Sequence, residues 1–409
     1  MRITRSDGVM KGELSLAGSK SESNRALMIE AYLGQKCDIV NLSDSNDTLL
    51  LSKLLGEIET SAAGTLCTID CADAGTVCRF LAAFLCQRKG LWRLTGDARL
   101  AQRPIAPLVD ALRLLGANIR YERHYGHLPL IIEGTPLKLS DLLVDATQSS
   151  QFASSLLLML PTLGKPVSVR LEGEPSSLPY IDMTMAMMNH FGADVSRVGN
   201  VIKVSPSGYS PCRYEVAPDW SSASYWLEAA ALSSECHVVL NALCESSLQG
   251  DKAAVEMFGK LGVSCLFSPE GLVLGKTALS DDKPVFDFIH CPDLFPSVAA
   301  ACAALDVKAV FAGVRNLRYK ESSRVEAMIQ ELSKAGARFT ASQDRVVLDK
   351  GIDPLATPSF CSHNDHRIAM SLSMLALRLP YVEIDGFEVV KKSYKNFWND
   401  METLGFQVF

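Results

Sequence analysis

The sequence predicts a two-lobed α/β protein built from six similar units. Along the 409 residues, a helix that ends at a glycine and is followed by a short strand recurs six times. Glycine readily adopts the left-handed conformation just past a helix, and the alternating apolar residues after it suit a strand. Six units exceed one ordinary core, so two lobes of about three units each are expected. These glycines, roughly 60 to 76 residues apart, are Gly56, Gly116, Gly192, Gly262, Gly336 and Gly405.

Each unit also contains an earlier apolar helix, which gives two helices per unit with strands between them. A boundary between the lobes is predicted around residues 209–219, where Gly208, Pro211 and Pro218 precede a new apolar helix. The earlier helices are predicted to begin near Glu22, Thr76, Gln151, Ser221, Leu294 and His366.

The composition of the chain argues against several classes of function. No segment approaches the roughly 20 apolar residues that a membrane span needs, and no targeting segment is recognised, so we expect a cytoplasmic protein without a membrane partner. The net charge of −6 argues against nucleic acid, whose backbone attracts basic surfaces. Cys67 and Cys71 have no histidine nearby to complete a ligand set, so no metal site is predicted.

The stretch from Gly18 to Arg25 joins a short apolar strand to the first of these helices. Lys20, Ser21 and Arg25 place cations and a hydroxyl at a predicted helix start, where free backbone N–H groups also favour anions. This pattern predicts a phosphate or carboxylate site, although simple capping with solvated cations would also explain it. A nucleotide-binding P-loop is excluded, because the spacing between Gly12, Gly18 and Lys20 does not match.

Further polar groups precede the next helices of the first half. Gly75 would allow a ligand to approach the backbone closely, and Arg103, with Pro104 at the first position of a helix, would lie at another positive helix end. An ordinary turn and a surface arginine are the alternatives. Two later helix starts offer hydroxyls and an amide that could hold an oxyanion or merely cap the helix, namely Ser149, Ser150 and Gln151, and Ser177 with Tyr180.

The second half carries carboxylates as well as cations. Asp293 begins an apolar helix, either as a cap or as a proton acceptor beside cations. Lys320 and Arg324 are predicted to share one helical face, with Glu321 on the neighbouring face; a solvated charge cluster is the alternative. Three further groups stand near helix starts, namely His366, Arg367 and Lys392.

Cations thus lie at or near helix starts in at least four of the six units. A cation and the helix dipole repel each other at that end, so folding alone rarely favours the arrangement. It is understandable if the helix ends converge on a cleft between the lobes and a polyanion supplies the missing charge.

These residues also form an ordered set of motifs. Its members are Gly18-Ser-Lys-Ser-x-Ser-Asn-Arg25, Ala74-Gly-Thr76, Arg103-Pro-Ile105, Ser149-Ser-Gln151, Asn316-x-Arg-x-Lys-Glu-x-x-Arg324, Asn364-Asp-His-Arg367 and Lys392-Ser-Tyr394. The set resembles the signature of the EPSP synthase (3-phosphoshikimate 1-carboxyvinyltransferase) family, and the match spans residues 12 to about 398.

The resemblance implies the two-lobed enolpyruvyl-transferase fold, an inside-out α/β barrel in which each lobe has three βαβαββ units. It assigns residues 1–18 and 218–409 to one lobe and 19–217 to the other, with the active site in the cleft between them. The implied reaction joins phosphoenolpyruvate to the 5-hydroxyl of shikimate 3-phosphate and expels phosphate, with no metal or organic cofactor. A monomer that acts on two small anions is expected.

The resemblance also implies the roles of individual residues. The implied catalytic residues are Asp293 as proton acceptor and Glu321 as proton shuttle, assisted by Lys20, His366 and Lys392. The residues implied to bind shikimate 3-phosphate are Lys20, Ser21, Arg25, Ser149, Ser150, Gln151, Ser177, Tyr180, Asp293, Asn316 and Lys320. Those implied to bind phosphoenolpyruvate are Lys20, Gly75, Arg103, Gln151, Arg324, Arg367 and Lys392.

Three positions depart from the family pattern. Asp73 replaces the usual asparagine, Cys78 a methionine and Lys395 a proline. An extra carboxylate beside Gly75 could weaken phosphoenolpyruvate binding or alter sensitivity to glyphosate, the inhibitor that occupies this subsite in the family.

Three other functions are weighed against this interpretation. The sister enzyme that uses UDP-N-acetylglucosamine typically has a loop cysteine before the Arg-Pro motif, and residues 96–102 contain none. A non-catalytic anion-binding repeat protein gives no reason for Asp293 and Glu321 to accompany so many cations. An RNA-end-processing enzyme would need a more basic surface.

Overall fold

Short strands and mostly buried helices alternate along the chain in a computed structural model that describes residues 1–5, 8–61, 65–138, 141–279 and 283–409. The chain divides into two compact units. Unit 1 comprises Met1–Ser19 and Ala217–Phe409, and unit 2 comprises Lys20–Val216. Each has its own continuous hydrophobic core, as expected of a separate folding domain. Among the described residues, none of the helices combines the length and the apolar character that crossing a membrane requires.

The strands are two to seven residues long. In chain order they are β1 Arg2–Thr4, β2 Val9–Ser15, β3 Asp38–Val40, β4 Leu66–Asp70, β5 Leu91–Thr95, β6 Asn118–Tyr121, β7 Leu130–Glu133, β8 Leu142–Asp145, β9 Val167–Glu172, β10 Val195–Val198, β11 Val201–Val204, β12 Arg213–Glu215, β13 Glu235–Asn241, β14 Val263–Phe267, β15 Gly271–Lys276, β16 Val285–Asp287, β17 Val310–Ala312, β18 Arg338–Ala341, β19 Arg345–Lys350, β20 Ser359–Phe360, β21 Val382–Ile384 and β22 Gln407–Val408.

The α-helices are interspersed with short 3₁₀ turns. In chain order the helices are α1 Lys20–Leu33, α2 Asn46–Thr60, α3 Gly75–Leu85, α4 Ala98–Gln102, α5 Ala106–Leu114, α6 Ser150–Met159, α7 Leu178–His190, α8 Trp220–Leu232, α9 Ala254–Gly259, α10 Phe295–Leu305, α11 Arg324–Lys334, α12 His366–Met374 and α13 Phe397–Thr403.

Unit 1 contains three open four-stranded sheets. Their strand orders are β14-β15-β13-β2, β16-β17-β19-β18 and β20-β21-β1-β22. Each sheet combines one parallel pair of strands with antiparallel pairs. In the second sheet, for example, β16 and β17 are parallel, whereas β18 and β19 are antiparallel. The run β16-α10-β17-α11-β18-β19 is therefore a βαβαββ unit, as predicted.

Unit 2 contains two sheets of the same kind and a smaller one. The four-stranded orders are β4-β5-β7-β6 and β10-β11-β9-β8, whereas β12 pairs only with β3, in parallel. The first repeat is thus shortened among the described residues. Its predicted terminal glycine, Gly56, lies inside α2 rather than after it, because that helix continues to Thr60. The other five glycines follow helices with φ between 82° and 96°, which confirms the helix-ending role for them.

The inner layer of unit 1 is formed by α8, α10 and α12, which pack against one another. Every residue of α8 and of α12 is buried. Both helices carry polar residues at their N-termini, and further polar residues such as Glu228 and Ser371 lie along their buried sides. Asp219 caps α8 at the Ser222 N–H, and Asp365 caps α12 at the Arg367 N–H. This arrangement places the predicted residues His366 and Arg367 at the start of α12.

Glu228 is a fully buried carboxyl group in the middle of α8. Neither of its oxygens has a hydrogen-bond partner among the described residues, and the neighbouring Ser371 hydroxyl does not complete a bond of ordinary geometry. Burial raises the pKa of Glu228 well above its usual value. A carboxyl group with a raised folded-state pKa weakens folding increasingly as the pH rises above its unfolded pKa of about 4.3.

Glu228→Gln is therefore expected to stabilise the protein by about 1–3 kcal/mol at pH 8, with the gain vanishing toward pH 4–5. Thermal unfolding followed by circular dichroism between pH 5 and 8 measures the effect. Glu331→Gln is the matched control, because Glu331 is equally buried but binds His363 Nε2 and Lys334 Nζ at 2.7 and 2.6 Å. The control should lose stability; an equal gain in both variants would contradict the explanation.

Candidate active site

Arg324 is the centre of a buried charge network in unit 1. Its guanidinium group, 1% exposed, donates from Nε to Asp365 Oδ2 at 2.8 Å, from Nη1 to Asp293 Oδ1 at 2.7 Å and from Nη2 to Glu321 Oε2 at 2.7 Å. One planar cation thus orients three carboxylates that come from separate segments. Burial lowers the pKa of Arg324, but the three carboxylates more than compensate and raise it above its usual value.

Arg367, the second residue of α12, reaches the same carboxylate. Its Nη2 donates to Asp293 Oδ2 at 2.8 Å and to Ser221 Oγ at 3.3 Å, and its Nη1 donates to the Tyr225 hydroxyl at 3.3 Å. Asp293 is therefore held between two guanidinium groups, one on each oxygen.

The electrostatic state of Asp293 follows from these neighbours. Burial alone would raise the pKa of its carboxyl group, but Arg367, Lys320 and Arg324 hold the pKa well below its usual range. The Lys320 Nζ lies 3.9 Å from Asp293 Oδ1. Asp293 is consequently ionised at neutral pH and can accept a proton once part of this positive charge is shared with another anion.

The local backbone explains how these groups meet. Asp293 lies in the 3₁₀ turn Pro292–Leu294 just before α10, not inside the helix. Arg324 begins α11, and residues 320–323 are not helical. The prediction that Lys320 and Arg324 share a helical face is therefore wrong. An extended residue at 320 ends the preceding 3₁₀ turn, so Lys320 approaches Asp293 from irregular backbone, whereas Arg324 approaches it from the first position of α11.

The other predicted residues of unit 1 lie in the following places. Asn316 is half-buried in the 3₁₀ turn Arg315–Tyr319. His366 is buried as the first residue of α12, with its Nδ1 3.9 Å from Asp365 Oδ1. Lys392 is buried at the end of the 3₁₀ turn Phe387–Lys392.

In unit 2, Arg25 occupies a buried polar cluster. It donates from Nε to Thr184 Oγ1 at 2.7 Å, from Nη1 to the Ser21 carbonyl at 2.8 Å, and from Nη2 to Ser154 Oγ and the Tyr180 carbonyl at 3.2 Å. Burial lowers the pKa of Arg25 to about 10. Most of its N–H groups thus join α1 to α6 and α7.

Lys20, the first residue of α1, pairs with Asp47 in the first turn of α2. Its Nζ lies 3.2 Å from Asp47 Oδ2, and its side chain is 15% exposed. Ser149 caps α6, because its Oγ accepts from the Gln151 N–H at 3.3 Å, and Ser150 begins that helix. Ser177 precedes α7 with a left-handed φ of 56°.

Gly75 and Arg103 are brought together at the start of α3. A Cβ atom at Gly75 would lie 2.6 Å from Arg103 Nη1, so the guanidinium packs directly over the glycine. Gln151 reaches the same helix start, where its Nε2 donates to Thr76 Oγ1 at 2.9 Å. The predicted position of Pro104 at a helix start is wrong, because α5 begins at Ala106 and Arg103 is the C-cap that follows α4. Arg103 nevertheless meets a positive helix end, that of α3.

The predicted cations do not point into open solvent. The exposed fraction is 1% for Arg324, 5% for Arg367, 4% for Lys392 and 9% for Arg103. Several are paired with carboxylates of their own unit, which the sequence interpretation did not foresee. Any anion that binds Arg324 or Arg367 therefore shares them with Asp293.

The protein-family model for EPSP synthase (3-phosphoshikimate 1-carboxyvinyltransferase) matches residues 5–401 of the chain. The chain belongs to the EPSP synthase family. Among its relatives, 3-phosphoshikimate 1-carboxyvinyltransferase of Bacteroides fragilis (strain YCH46) is 38% identical over 98% of this chain and 96% of the relative. The protein of that name from Haemophilus ducreyi is 35% identical over 97% of this chain and 96% of the relative.

A solved EPSP synthase from Acinetobacter baumannii matches with a TM-score of 0.76 and 25% identity, covering 99% of this chain and 98% of that one. The α/β enolpyruvyl-transferase fold implied by the resemblance is thereby confirmed, as is membership of the EPSP synthase family. The roles assigned to individual residues remain predictions.

Several residues that shape the candidate site were missed from the sequence. Five of them pair with or cap the predicted groups, namely Asp47, Ser154, Thr184, Ser221 and Asp365. The sixth, Asp251, accepts a hydrogen bond from Ser221. Asp365 could have been predicted, because it lies inside the Asn364–Arg367 motif and is a typical helix-capping residue next to Arg367. The others carry no sequence signal that separates them from ordinary caps or core hydroxyls.

Gly75→Ala is expected to fold but to bind phosphoenolpyruvate more weakly, with KM for that substrate raised roughly tenfold, about 1.4 kcal/mol. The new methyl group must displace the end of the Arg103 side chain, which is flexible, so the cation moves while the helix remains. Steady-state kinetics measures KM and kcat. The matched control is Gly56→Ala, where a Cβ atom meets nothing within 4 Å. An unchanged KM in Gly75→Ala would exclude Arg103 from this subsite.

Proposed function

We propose that this chain transfers the enolpyruvyl group of phosphoenolpyruvate to the 5-hydroxyl of shikimate 3-phosphate. The products are inorganic phosphate and 5-enolpyruvylshikimate 3-phosphate, a step toward chorismate and the aromatic amino acids. Family membership and the names of the relatives support this proposal. The observation that carries it is the carboxylate of Asp293 held between Arg324 and Arg367, with Glu321 on the same guanidinium group.

The reaction needs two proton movements in one site. The 5-hydroxyl loses a proton as its oxygen attacks C2 of phosphoenolpyruvate, and the methylene carbon gains one, which gives a tetrahedral intermediate. The methyl group then loses a proton as the C–O bond to phosphate breaks and the double bond re-forms. We assign the hydroxyl proton to Asp293 and the methylene proton to Glu321, assisted by Lys20, His366 and Lys392.

The pairing of Asp293 suggests how substrate would activate it. Two arginines and Lys320 lower its pKa, so it is a weak base while they contact only protein carboxylates. A phosphate or carboxylate bound at Arg324 and Arg367 would draw positive charge away from Asp293. Its pKa would then rise, which makes proton acceptance from the hydroxyl more favourable.

Substrate binding is proposed to use the two sets that the resemblance implies. Arginines suit the phosphate and carboxylate of phosphoenolpyruvate because they remain charged and bind bidentately. In this proposal Lys20, Gly75, Arg103 and Gln151 of unit 2 act on the same substrates as the unit 1 network. The predicted cleft between lobes, the monomeric state and a cytoplasmic location stay predictions.

Phosphate release from phosphoenolpyruvate tests the proposal. We expect release with shikimate 3-phosphate and none with UDP-N-acetylglucosamine, the acceptor of the sister enzyme. Mass spectrometry should show the enolpyruvyl ether of shikimate 3-phosphate in an amount equal to the phosphate released. Release with the UDP-sugar alone would overturn the assignment in favour of the sister reaction. No release with either acceptor would favour a non-catalytic anion-binding protein.

A further inference from the structure

Asp251 is a second buried carboxyl group behind the arginine network of unit 1. It lies in the 3₁₀ turn Gly250–Ala253 and is 1% exposed. The Ser221 hydroxyl donates to its Oδ2. Its other oxygen, Oδ1, is buried without a hydrogen-bond partner among the residues that the structure describes. A half-satisfied buried carboxyl group is unusual and calls for an explanation.

The Ser221 hydroxyl links Asp251 to the candidate active site. The same Oγ accepts from Arg367 Nη2 at 3.3 Å, and that nitrogen also donates to Asp293 Oδ2 at 2.8 Å. A continuous path of hydrogen bonds therefore runs from Asp251 through Ser221 and Arg367 to Asp293. All four residues belong to unit 1.

The path is held rigidly at its Ser221 end. Asp219 caps α8 by accepting from the Ser222 N–H at 3.1 Å. Gln249, which directly precedes the turn of Asp251, accepts from the Trp220 N–H at 2.8 Å and donates to the Pro218 carbonyl at 2.9 Å. The start of α8 and the turn of Asp251 are thus fixed to each other.

A serine hydroxyl has one proton to donate. When Asp251 is ionised, Ser221 donates to it and turns its lone pairs toward Arg367, so the negative charge of Asp251 partly offsets the guanidinium. When Asp251 is protonated, this charge is absent and Arg367 is available to other anions. The titratable and charged groups that face Asp251 are Asp293, Arg367, Asp219 and the Cys291 thiol.

The acidity of Asp251 suits such a role at physiological pH. Burial raises the pKa of Asp251 to about 7, with Asp293 adding to the rise, while Arg367 and the bond from Ser221 oppose it. The group therefore changes its charge near neutrality, where Asp293 is already ionised.

We propose that Asp251 is a positioning residue that acts through Ser221 on Arg367 and sets how strongly this guanidinium binds an anionic substrate group. The inference rests on the proposed function for the identity of that group, phosphoenolpyruvate. In this role the carboxyl group of Asp251 regulates substrate binding without contacting a reacting atom.

The test compares the pH dependence of KM for phosphoenolpyruvate in the wild type and in Asp251→Asn between pH 6 and 8.5. Ionisation of Asp251 should weaken binding above about pH 7, so the ratio of the wild-type KM to the variant KM should rise, by up to about tenfold for a coupling of one pKa unit. The ionisation of phosphoenolpyruvate itself cancels in this ratio. A ratio that is constant with pH would overturn the proposal.

Glu228→Gln is the matched control, because it changes another buried carboxyl group of unit 1 to an amide without touching Arg367. Its KM should follow the wild type at every pH. Ser221→Ala is the second variant, and it serves also if Asp251→Asn does not fold. It removes the hydroxyl that stabilises the ionised Asp251, so the pH-dependent component should move to higher pH; an unmoved component would overturn the path through Ser221.

A binding measurement separates failure of this inference from failure of the proposed function. Inorganic phosphate is titrated against the full chain, with its tryptophan fluorescence as the readout; one of the four tryptophans, Trp220, is next to Ser221. The wild type should bind phosphate several-fold more weakly at pH 8 than Asp251→Asn and equally at pH 6. This comparison needs no turnover, so it holds even if the chain releases no phosphate from phosphoenolpyruvate. Equal affinities at pH 8 would overturn the inference.

Discussion

Asp293→Asn is expected to lower kcat by about 10²–10⁴-fold, the range that a positioned proton acceptor contributes. Asparagine fills the same space between Arg324 and Arg367 but cannot take the hydroxyl proton. KM for phosphoenolpyruvate should not rise, because the variant removes a negative charge from two guanidinium groups that would bind this anion. Steady-state kinetics with both substrates varied gives the separate effects on kcat and KM.

The control for this variant is Asp349→Asn, an exposed carboxylate of the same unit whose Oδ2 accepts from Thr340 Oγ1 at 2.8 Å. Its kinetics should equal those of the wild type. If Asp293→Asn instead kept a normal kcat and lost affinity, Asp293 would be a binding residue, and the proton acceptor would have to be sought elsewhere.

Arg324→Met should have the largest effect on stability, a loss of about 3–5 kcal/mol at pH 7. The change leaves Asp293, Glu321 and Asp365 close together with no guanidinium between them, in a region where Arg324 is 1% exposed. Chemical denaturation monitored by tryptophan fluorescence measures the loss. We expect turnover to fall below detection, since the same residue is proposed to bind phosphoenolpyruvate.

The loss should depend on pH with a defined sign. In the wild type, the lowered pKa of Asp293 contributes stability that is present above its unfolded pKa of about 3.9 and is lost as the pH falls below it. Without Arg324 this contribution shrinks, and the remaining carboxylates favour protonation. The difference in unfolding free energy should therefore be greatest near pH 7 and should narrow toward pH 4.

Arg197→Met provides the comparison, because Arg197 Nη2 lies 3.0 Å from Asp182 Oδ1 while the two side chains are 27% and 46% exposed. A half-exposed pair of this kind contributes about 0–1 kcal/mol. Equal losses of unfolding free energy in the two variants would show that burial of the Arg324 network adds nothing to stability.

Much of the fold could be predicted from local signals. The six inner helices begin at Lys20, Gly75, Ser150, Trp220, Phe295 and His366, each within two residues of its predicted start. These starts follow from a capping or small residue before an apolar run, which is a property of neighbouring residues alone. The prediction failed at Gly56 because a glycine inside a helix differs from one after it only in how far the helix continues.

The candidate site was predicted less completely than the fold. Ordered motifs contain Glu321, Arg324 and Arg367, and Asp293 was singled out at a predicted helix start. Neither signal shows which carboxylate holds which arginine. The pair of Lys20 and Asp47 joins residues 27 apart, and the bond from Arg25 to Thr184 joins residues 159 apart. Such contacts depend on how helices pack, which no local pattern encodes.

By itself, the sequence determined the six-unit repeat, the glycines that end five of its helices, and the family to which its motifs belong. These features are set by backbone preferences and by residue order. Only the tertiary structure decided that Asp293 lies between two arginines and that Asp251 is connected to one of them, Arg367, by hydrogen bonds through Ser221. The reason is that the strength and the acidity of a buried charge are fixed by its desolvation and by neighbours from distant segments.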